Sequence, residues 1–296
     1  MAVAWRTKPG EPVIEVKNLG VEFLRGRRRN LSLREIVYRR QATHVKDTFW
    51  ALRDLSFTVG RGEAVGLVGA NGGGKSTLLK MIAGTLLPDE GSVETKEGVA
   101  PLIELTGGFI GELSARENIY LTAGLHGMST RAIDERFEEI VDFAGPQVRA
   151  GLNLPFRHFS SGMQARLGFG VITCLDEPIL LVDEVLAVGD VAFREKCYDR
   201  MEVLLEEGRT LFLVSHSAAD LMRFCTRGIF LRQGQLVDDG PMDLIMEQYM
   251  HDTMGDRYTP PTPEEREEER QKREQAKEER RLARHATREQ QQVRNN

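Results

Sequence analysis

The run Gly69-Ala70-Asn71-Gly72-Gly73-Gly74-Lys75-Ser76-Thr77 gathers glycines, one cation and two hydroxyls into a single loop. It follows the apolar stretch Ala64-Val65-Gly66-Leu67-Val68 and precedes a helix-prone segment from Leu78 to Ala83, the strand, glycine loop, helix order of a phosphate-binding P-loop. Glycines admit backbone conformations closed to residues with a Cβ, so successive N–H groups can point inward around phosphates. The positive end of the following helix reinforces them. Lys75 is expected to bridge the outer phosphates and Ser76 to ligate Mg²⁺. The loop thus predicts binding of a nucleoside triphosphate.

Three further segments could complete a hydrolytic site. Ile179-Leu180-Leu181-Val182 reads as a buried strand that ends in Asp183 and Glu184, and adjacent carboxylates at such a place are costly without a cation nearby. A magnesium nucleotide supplies one. Asp183 is then the acidic partner of the metal, and Glu184 polarises the water that attacks the γ-phosphate. Two acids after a strand are also a common helix start; their order after the P-loop favours the chemical reading. Thr210-Leu211-Phe212-Leu213-Val214 delivers Ser215-His216-Ser217 to the same sheet edge, where His216 could reach the γ-phosphate. Finally, Phe159-Ser160-Ser161-Gly162-Met163-Gln164 puts hydroxyls and free N–H groups at the start of a helix, which is either a plain cap or a second anion contact.

The elements that must position these residues are legible in outline. Val13-Ile14-Glu15-Val16 and Ser56-Phe57-Thr58-Val59 suggest an antiparallel entry sheet leading into the P-loop strand. From Glu112 to about Val148, Ile119, Leu121, Leu125, Ile133, Phe137, Ile140, Val141 and Phe143 recur at mixed spacings of three and four, the pattern of an inserted helical lobe. Beyond it, strands at 179–182, 210–214 and 229–231 alternate with helices, one of them from Arg194 to Leu205. Alternation of that kind implies a mostly parallel sheet and an α/β fold.

Two segments stand apart. Arg25-Gly26-Arg27-Arg28-Arg29-Asn30 opens a basic insertion over about 25–46, where Leu31, Leu33, Ile36 and Val37 interleave with Arg34, Glu35, Arg39 and Arg40 as a short amphipathic helix. After Pro263 the chain turns to Glu, Arg, Lys and Gln, with Leu282 and Val293 its only large aliphatics, so this tail cannot form a core. Pairs such as Glu268 with Lys272 and Glu269 with Arg273 would support a solvated helix. The expected division is an N-terminal tail over 1–11, a main domain over 12–256 with its helical subdomain at about 109–175, and a charged tail over 257–296, helical or disordered.

Bulk properties narrow the classes. With 296 residues, 41% of them hydrophobic, the chain can bury an ordinary core. No apolar run approaches the roughly 18 residues of a membrane span, and the start, Met1-Ala2-Val3-Ala4-Trp5-Arg6, lacks the layout of a signal peptide. A cytoplasmic location is therefore expected. Cys174, Cys197 and Cys225 are widely separated, which reads as reduced, mostly buried thiols rather than a disulfide or metal framework. The net charge of −5 argues against wholesale nucleic-acid binding.

Over roughly residues 12 to 250 these motifs resemble, in order and content, the ATP-binding subunits of ABC transporters. Phe159 to Gln164 looks like the family's signature motif, with Ser161 and Met163 in place of the commoner Gly and Gln. The Ser-Ser-Gly-Met form, together with Phe49-Trp50-Ala51-Leu52-Arg53-Asp54-Leu55-Ser56-Phe57 and Asp183-Glu184-Val185-Leu186-Ala187-Val188-Gly189-Asp190, is similar to the exporters of polysaccharide, O-antigen and teichoic acid.

The resemblance implies an ABC-type nucleotide-binding domain that uses ATP and Mg²⁺. Ala187 to Asp190 matches the D-loop, and His216 the switch histidine. Phe23 stands where an aromatic usually stacks on adenine, with Trp50 as a substitute. The usual Q-loop glutamine has no counterpart; Glu104 lies nearby and is assigned its contact with the metal. By the same resemblance, two copies face each other head to tail, so that Ser160, Ser161 and Gly162 of one copy cover the nucleotide held by Lys75 of the other. Two transmembrane permease subunits would carry a lipid-linked glycan, with this chain at the cytoplasmic face of the membrane, and the basic insertion would either contact the permease or anionic lipid or present a solvated face. Competing expectations are a soluble ABC ATPase acting on ribosomes or RNA, against which the single P-loop counts, and export of a small molecule.

Overall fold

The computed structural model describes residues 10–24, 48–103, 105–183 and 189–295. Burial is mixed along β1 (Pro12–Leu24), whose pairing has several register shifts, and alternates along the second half of β2 (Thr48–Gly60); the two pair antiparallel. By contrast β3 (Ala64–Val68) is buried at every residue, as a central strand must be. It runs into α1 (Lys75–Ile82), β4 (Glu90–Thr95) and β5 (Val99–Leu102). A helical lobe follows, with α2 (Ala115–Leu125), α3 (Thr130–Ala144), α4 (Pro146–Ala150) and α5 (Ser161–Thr173). The chain then returns through β6 (Ile179–Asp183), α6 (Val191–Glu206), β7 (Thr210–Val214), α7 (Ala218–Phe224), β8 (Arg227–Arg232), β9 (Gln235–Pro241) and α8 (Met242–Met254).

Two sheets result. One is three-stranded and antiparallel in the order β2-β1-β4, and the other six-stranded in the order β5-β6-β7-β3-β8-β9, parallel except for β9 at its edge. The core lies between them. Val13, Leu19, Leu52, Leu55 and Phe57 of the antiparallel sheet, Leu78, Leu79 and Ile82 of α1, and Val65, Leu67, Ile179, Leu181, Phe212 and Val214 of the parallel sheet are buried in one cluster. Phe57 and Phe212 stack across it, ring centroids 6.1 Å apart. The entry sheet and the mostly parallel sheet are thus as expected. The polar, largely exposed β4 was not foreseen, because pairing with β1 rather than its own apolar pattern makes it a strand.

In the lobe, Ser114 and Glu117 form a reciprocal capping box at α2, and Ser129 caps α3. Leu125, read above as part of the apolar pattern, is 70% exposed in the last turn of α2. Asn118 is wholly buried. Its side chain accepts from the Ile110 N–H at 2.7 Å and donates to the carbonyls of Ile110, Leu113 and Ser114 at 2.9 to 3.2 Å, holding the loop that leads into α2. Removing those partners strands buried peptide groups. Asn118→Ala is expected to lower the unfolding free energy by about 2–3 kcal/mol in a denaturant titration; wild-type stability would contradict this.

All three cysteines are free and buried. Burial pushes the Cys174 thiol up to about 11 and the Cys197 thiol up to about 12, which keeps both protonated and inert at neutral pH. No helix among the described residues is long and apolar enough to cross a membrane.

The chain divides into two compact units, up to Met246 and from Glu247 onward. Within the second, α9 (Pro263–Asn295) is a continuous helix in which Lys272 pairs with Glu268 and Arg273 with Glu269, each at 2.7 Å. The basic insertion and residues 1–9 lie outside the described residues.

Candidate functional site

Parallel pairing decides what meets at the top of the six-stranded sheet. Leu67 stands beside Val214, and Val214 beside Asp183, so the C-terminal ends of β3, β7 and β6 are level. The P-loop, the Ser215-His216-Ser217 turn and Asp183 therefore leave the sheet along one edge, as expected for a topological switch point. His216 is exposed there, and Asp183 is half-buried. Glu184 and Glu104 lie outside the described residues.

The P-loop's conformation follows from its glycines. Gly69 has φ 154° and Gly74 φ 97°, both in the region closed to most L-residues. A Cβ on Gly69 would fall 2.3 Å from the Leu231 carbonyl oxygen, and one on Gly74 2.6 Å from that of Ala51. Only glycine fits at either. Gly74 starts α1 without a side-chain cap, whereas Ser114, Ser129, Ser160, Asp190 and Ser217 cap α2, α3, α5, α6 and α7. No side-chain cap therefore competes with an anion at the start of α1. Lys75 is 6% exposed, and its ammonium donates to the carbonyls of Gly69 at 2.7 Å and Ala70 at 2.9 Å, which holds the charge over the loop.

A cavity of about 310 Å³ opens on this loop, lined by Phe23, Phe49, Ala51, Asn71, Gly72, Gly74, Lys75, Ser76 and Thr77. The lining combines phosphate-seeking groups with two aromatic rings. Phe23 and Phe49 face each other across the β1–β2 register with ring centroids 6.0 Å apart. The two residues are partly exposed, at 36% and 39%. Sequence reasoning missed Phe49. Trp50, offered above as a substitute for Phe23, does not line the cavity; strand alternation turns it to the other face, where the Arg53 guanidinium lies 5.4 Å from its ring. Phe49→Ala is expected to raise the Kd for ATP by about tenfold, the loss of one stacked face. Trp50→Ala should leave it unchanged. A fluorescent-nucleotide titration distinguishes the two, and the reverse ranking would contradict the placement.

The signature-like segment is built but stands elsewhere. Ser160 caps α5, its Oγ accepting from the Met163 N–H at 3.3 Å; Ser160 and Ser161 are exposed and Gly162 is half-buried. Asp190 caps α6 through the Phe193 N–H at 2.9 Å and accepts from Arg166 of α5 at 2.6 Å. None of Ser160, Ser161, Gly162 and Asp190 lines the cavity. Among the described residues of one chain, the P-loop cavity is lined by β1, β2 and the P-loop with the start of α1, without these groups.

Among the described residues no cluster of three or more His, Cys, Asp or Glu could by itself hold a metal ion. The hydroxyl of Ser76 and the carboxylate of Asp183 are hard oxygen donors of the kind Mg²⁺ takes alongside phosphates and water, so the donor set fits a magnesium that arrives with a nucleotide.

A model of the ABC transporter family matches residues 52–187. The O-antigen export system ATP-binding protein RfbB of Klebsiella pneumoniae is 40% identical over 247 residues, which span 81% of this chain and 98% of that protein. The teichoic acids export ATP-binding protein TagH of Bacillus anthracis is 40% identical over 219 residues, 74% of this chain but only 39% of that protein. Among solved structures, the dimeric post-hydrolysis state of the ATP-binding cassette MJ0796 bound to ADP and Pi covers 77% of this chain and 98% of its own at TM-score 0.62 and 22% identity, a likeness of fold.

Proposed function

Because the chain belongs to the ABC transporter family of ATP-binding proteins, we propose that it is the ATP-hydrolysing subunit of an exporter that moves a lipid-linked polysaccharide or cell-wall glycopolymer across the cytoplasmic membrane. The observation that carries this reading is the match along 98% of an O-antigen export ATP-binding protein, with the P-loop and its partner strands in level register.

In this reading Phe23 and Phe49 hold the base, while Gly69, Asn71, Gly72, Gly73, Gly74 and Thr77 offer backbone and side-chain donors to the phosphates. Lys75 bridges the outer two. Ser76 and Asp183, with Glu104, hold the magnesium, whose chemistry when bound is to neutralise charge on the phosphate oxygens. Glu184 takes a proton from the attacking water, and His216 contacts the γ-phosphate.

One chain supplies only half of such a site. The absence of Ser160, Ser161, Gly162 and Asp190 from the P-loop cavity supports a head-to-tail pair, in which the signature segment of each copy closes on the nucleotide of the other. ATP then holds the pair together and hydrolysis releases it, a motion that two transmembrane permease chains would feel. This reading requires no nucleic acid, and a location at the cytoplasmic face of the membrane follows from the permease.

The test is made in cells. With Lys75 replaced, lipid-linked glycan should accumulate and the surface polymer should disappear. Normal surface polymer in that strain would overturn the proposal.

A further inference from the structure

Behind the turn that carries His216 lies a polar network which no nucleotide contact requires. Asp220 of α7 is 9% exposed, so its carboxylate is held almost out of water. Its Oδ1 accepts from the Tyr198 hydroxyl of α6 at 2.6 Å, and its Oδ2 from the Ser215 hydroxyl at 3.4 Å. The Ser217 N–H in turn donates to Ser215 Oγ at 3.0 Å, and the Asp220 N–H to Ser217 Oγ at 3.2 Å. Of the two neighbours of His216 in the chain, Ser215 is thereby tied to the carboxylate directly, and Ser217 to Ser215 and to the Asp220 backbone N–H.

Tyr198 is itself fixed. Its ring meets Phe224 edge-on at 5.4 Å, and the Arg223 guanidinium lies 4.6 Å from it, held by Glu202 at 2.8 Å. Burial and the bond to Asp220 push its phenol up to about 12, so it stays a donor throughout the working pH range. A buried carboxylate is poor value as a stabiliser, since apolar residues of similar volume commonly serve as well or better. Leu221 and Phe224 already bury the apolar face of α7, and Ser217 already caps it. The network is better explained by the short turn it holds.

We propose that Tyr198 and Asp220 are positioning residues for His216: they fix the Ser215-His216-Ser217 turn in the arrangement used for turnover and do not themselves touch nucleotide. The proposal rests on the reading of His216 as a γ-phosphate contact. It carries a signature that a merely structural role lacks. A residue that acts only through His216 has nothing left to act on once that histidine is gone.

The experiment is a double-mutant cycle on the full chain. Tyr198→Phe keeps the ring packing and removes one hydroxyl; Asp220→Asn keeps the shape and removes the charge. Each is placed in the wild-type and His216→Ala backgrounds, and ATP turnover, nucleotide Kd and thermal midpoint are measured. In the wild-type background each should lower kcat by about tenfold, the equivalent of one charge-assisted hydrogen bond, with Kd unchanged within about twofold. In the His216→Ala background the same changes should move the residual kcat by less than about twofold. Equal losses in both backgrounds, a Kd that moves as far as kcat, or wild-type turnover in both variants would overturn the proposal. Wild-type turnover by His216→Ala alone would overturn the underlying reading of that histidine as well, whereas an inactive His216→Ala beside fully active Tyr198→Phe and Asp220→Asn defeats only the positioning claim.

Discussion

Lys75→Ala is expected to abolish turnover, with kcat/KM falling by on the order of a thousandfold or more. The Lys75 ammonium is buried over its own loop and donates to the carbonyls of Gly69 and Ala70. A unit charge about 4 Å from a phosphate oxygen contributes roughly 4 kcal/mol at the effective dielectric of such a site. That corresponds to about three decades in rate if the interaction is realised in the transition state. Backbone N–H groups of the glycine loop and α1 would still attract phosphate, so some nucleotide affinity should survive. Steady-state turnover with a parallel binding titration checks both parts. A variant that turns over within tenfold of wild type would show that another cation neutralises the outer phosphates.

Glu184→Gln should lower turnover by about two to three decades while leaving ATP affinity intact. The substitution keeps the size of the side chain and its capacity to hydrogen-bond to water, and it removes the group proposed to take the proton. Glu184 follows Asp183, whose strand β6 ends level with the strand that leads to His216. With hydrolysis stalled and the nucleotide still bound, the proposed ATP-bound pair would have no route to release and should accumulate. Quench-flow measurement of the chemical step separates this from slow product release. An unchanged chemical step would move the role of base to another residue.

Much of this arrangement can be read from the residues in order. The P-loop is contiguous, and glycines at 69 and 74 are demanded by local backbone geometry that composition reveals. Asp183 and His216 are legible because both follow runs of buried apolar residues, and parallel strands of that kind bring their ends to one edge. Register is harder. Phe23 and Phe49 are separated by a long segment, so their pairing depends on how β1 meets β2 rather than on either strand's own pattern. Strand alternation would then have chosen Phe49 over Trp50, yet parity is useless without a known face. Neither could Tyr198 and Asp220 be paired from sequence, since they lie on different helices 22 residues apart and meet only through packing. Glu104 and Glu184 rest on sequence and resemblance alone.

The shared nucleotide is tested most directly by the mass of Glu184→Gln chains in solution. Sedimentation equilibrium with saturating magnesium ATP should give twice the mass of one chain, and the same sample with magnesium ADP should give the mass of a single chain. A single-chain mass in ATP, from protein whose wild-type form hydrolyses ATP at a rate strictly proportional to its concentration, would contradict a site built from two copies.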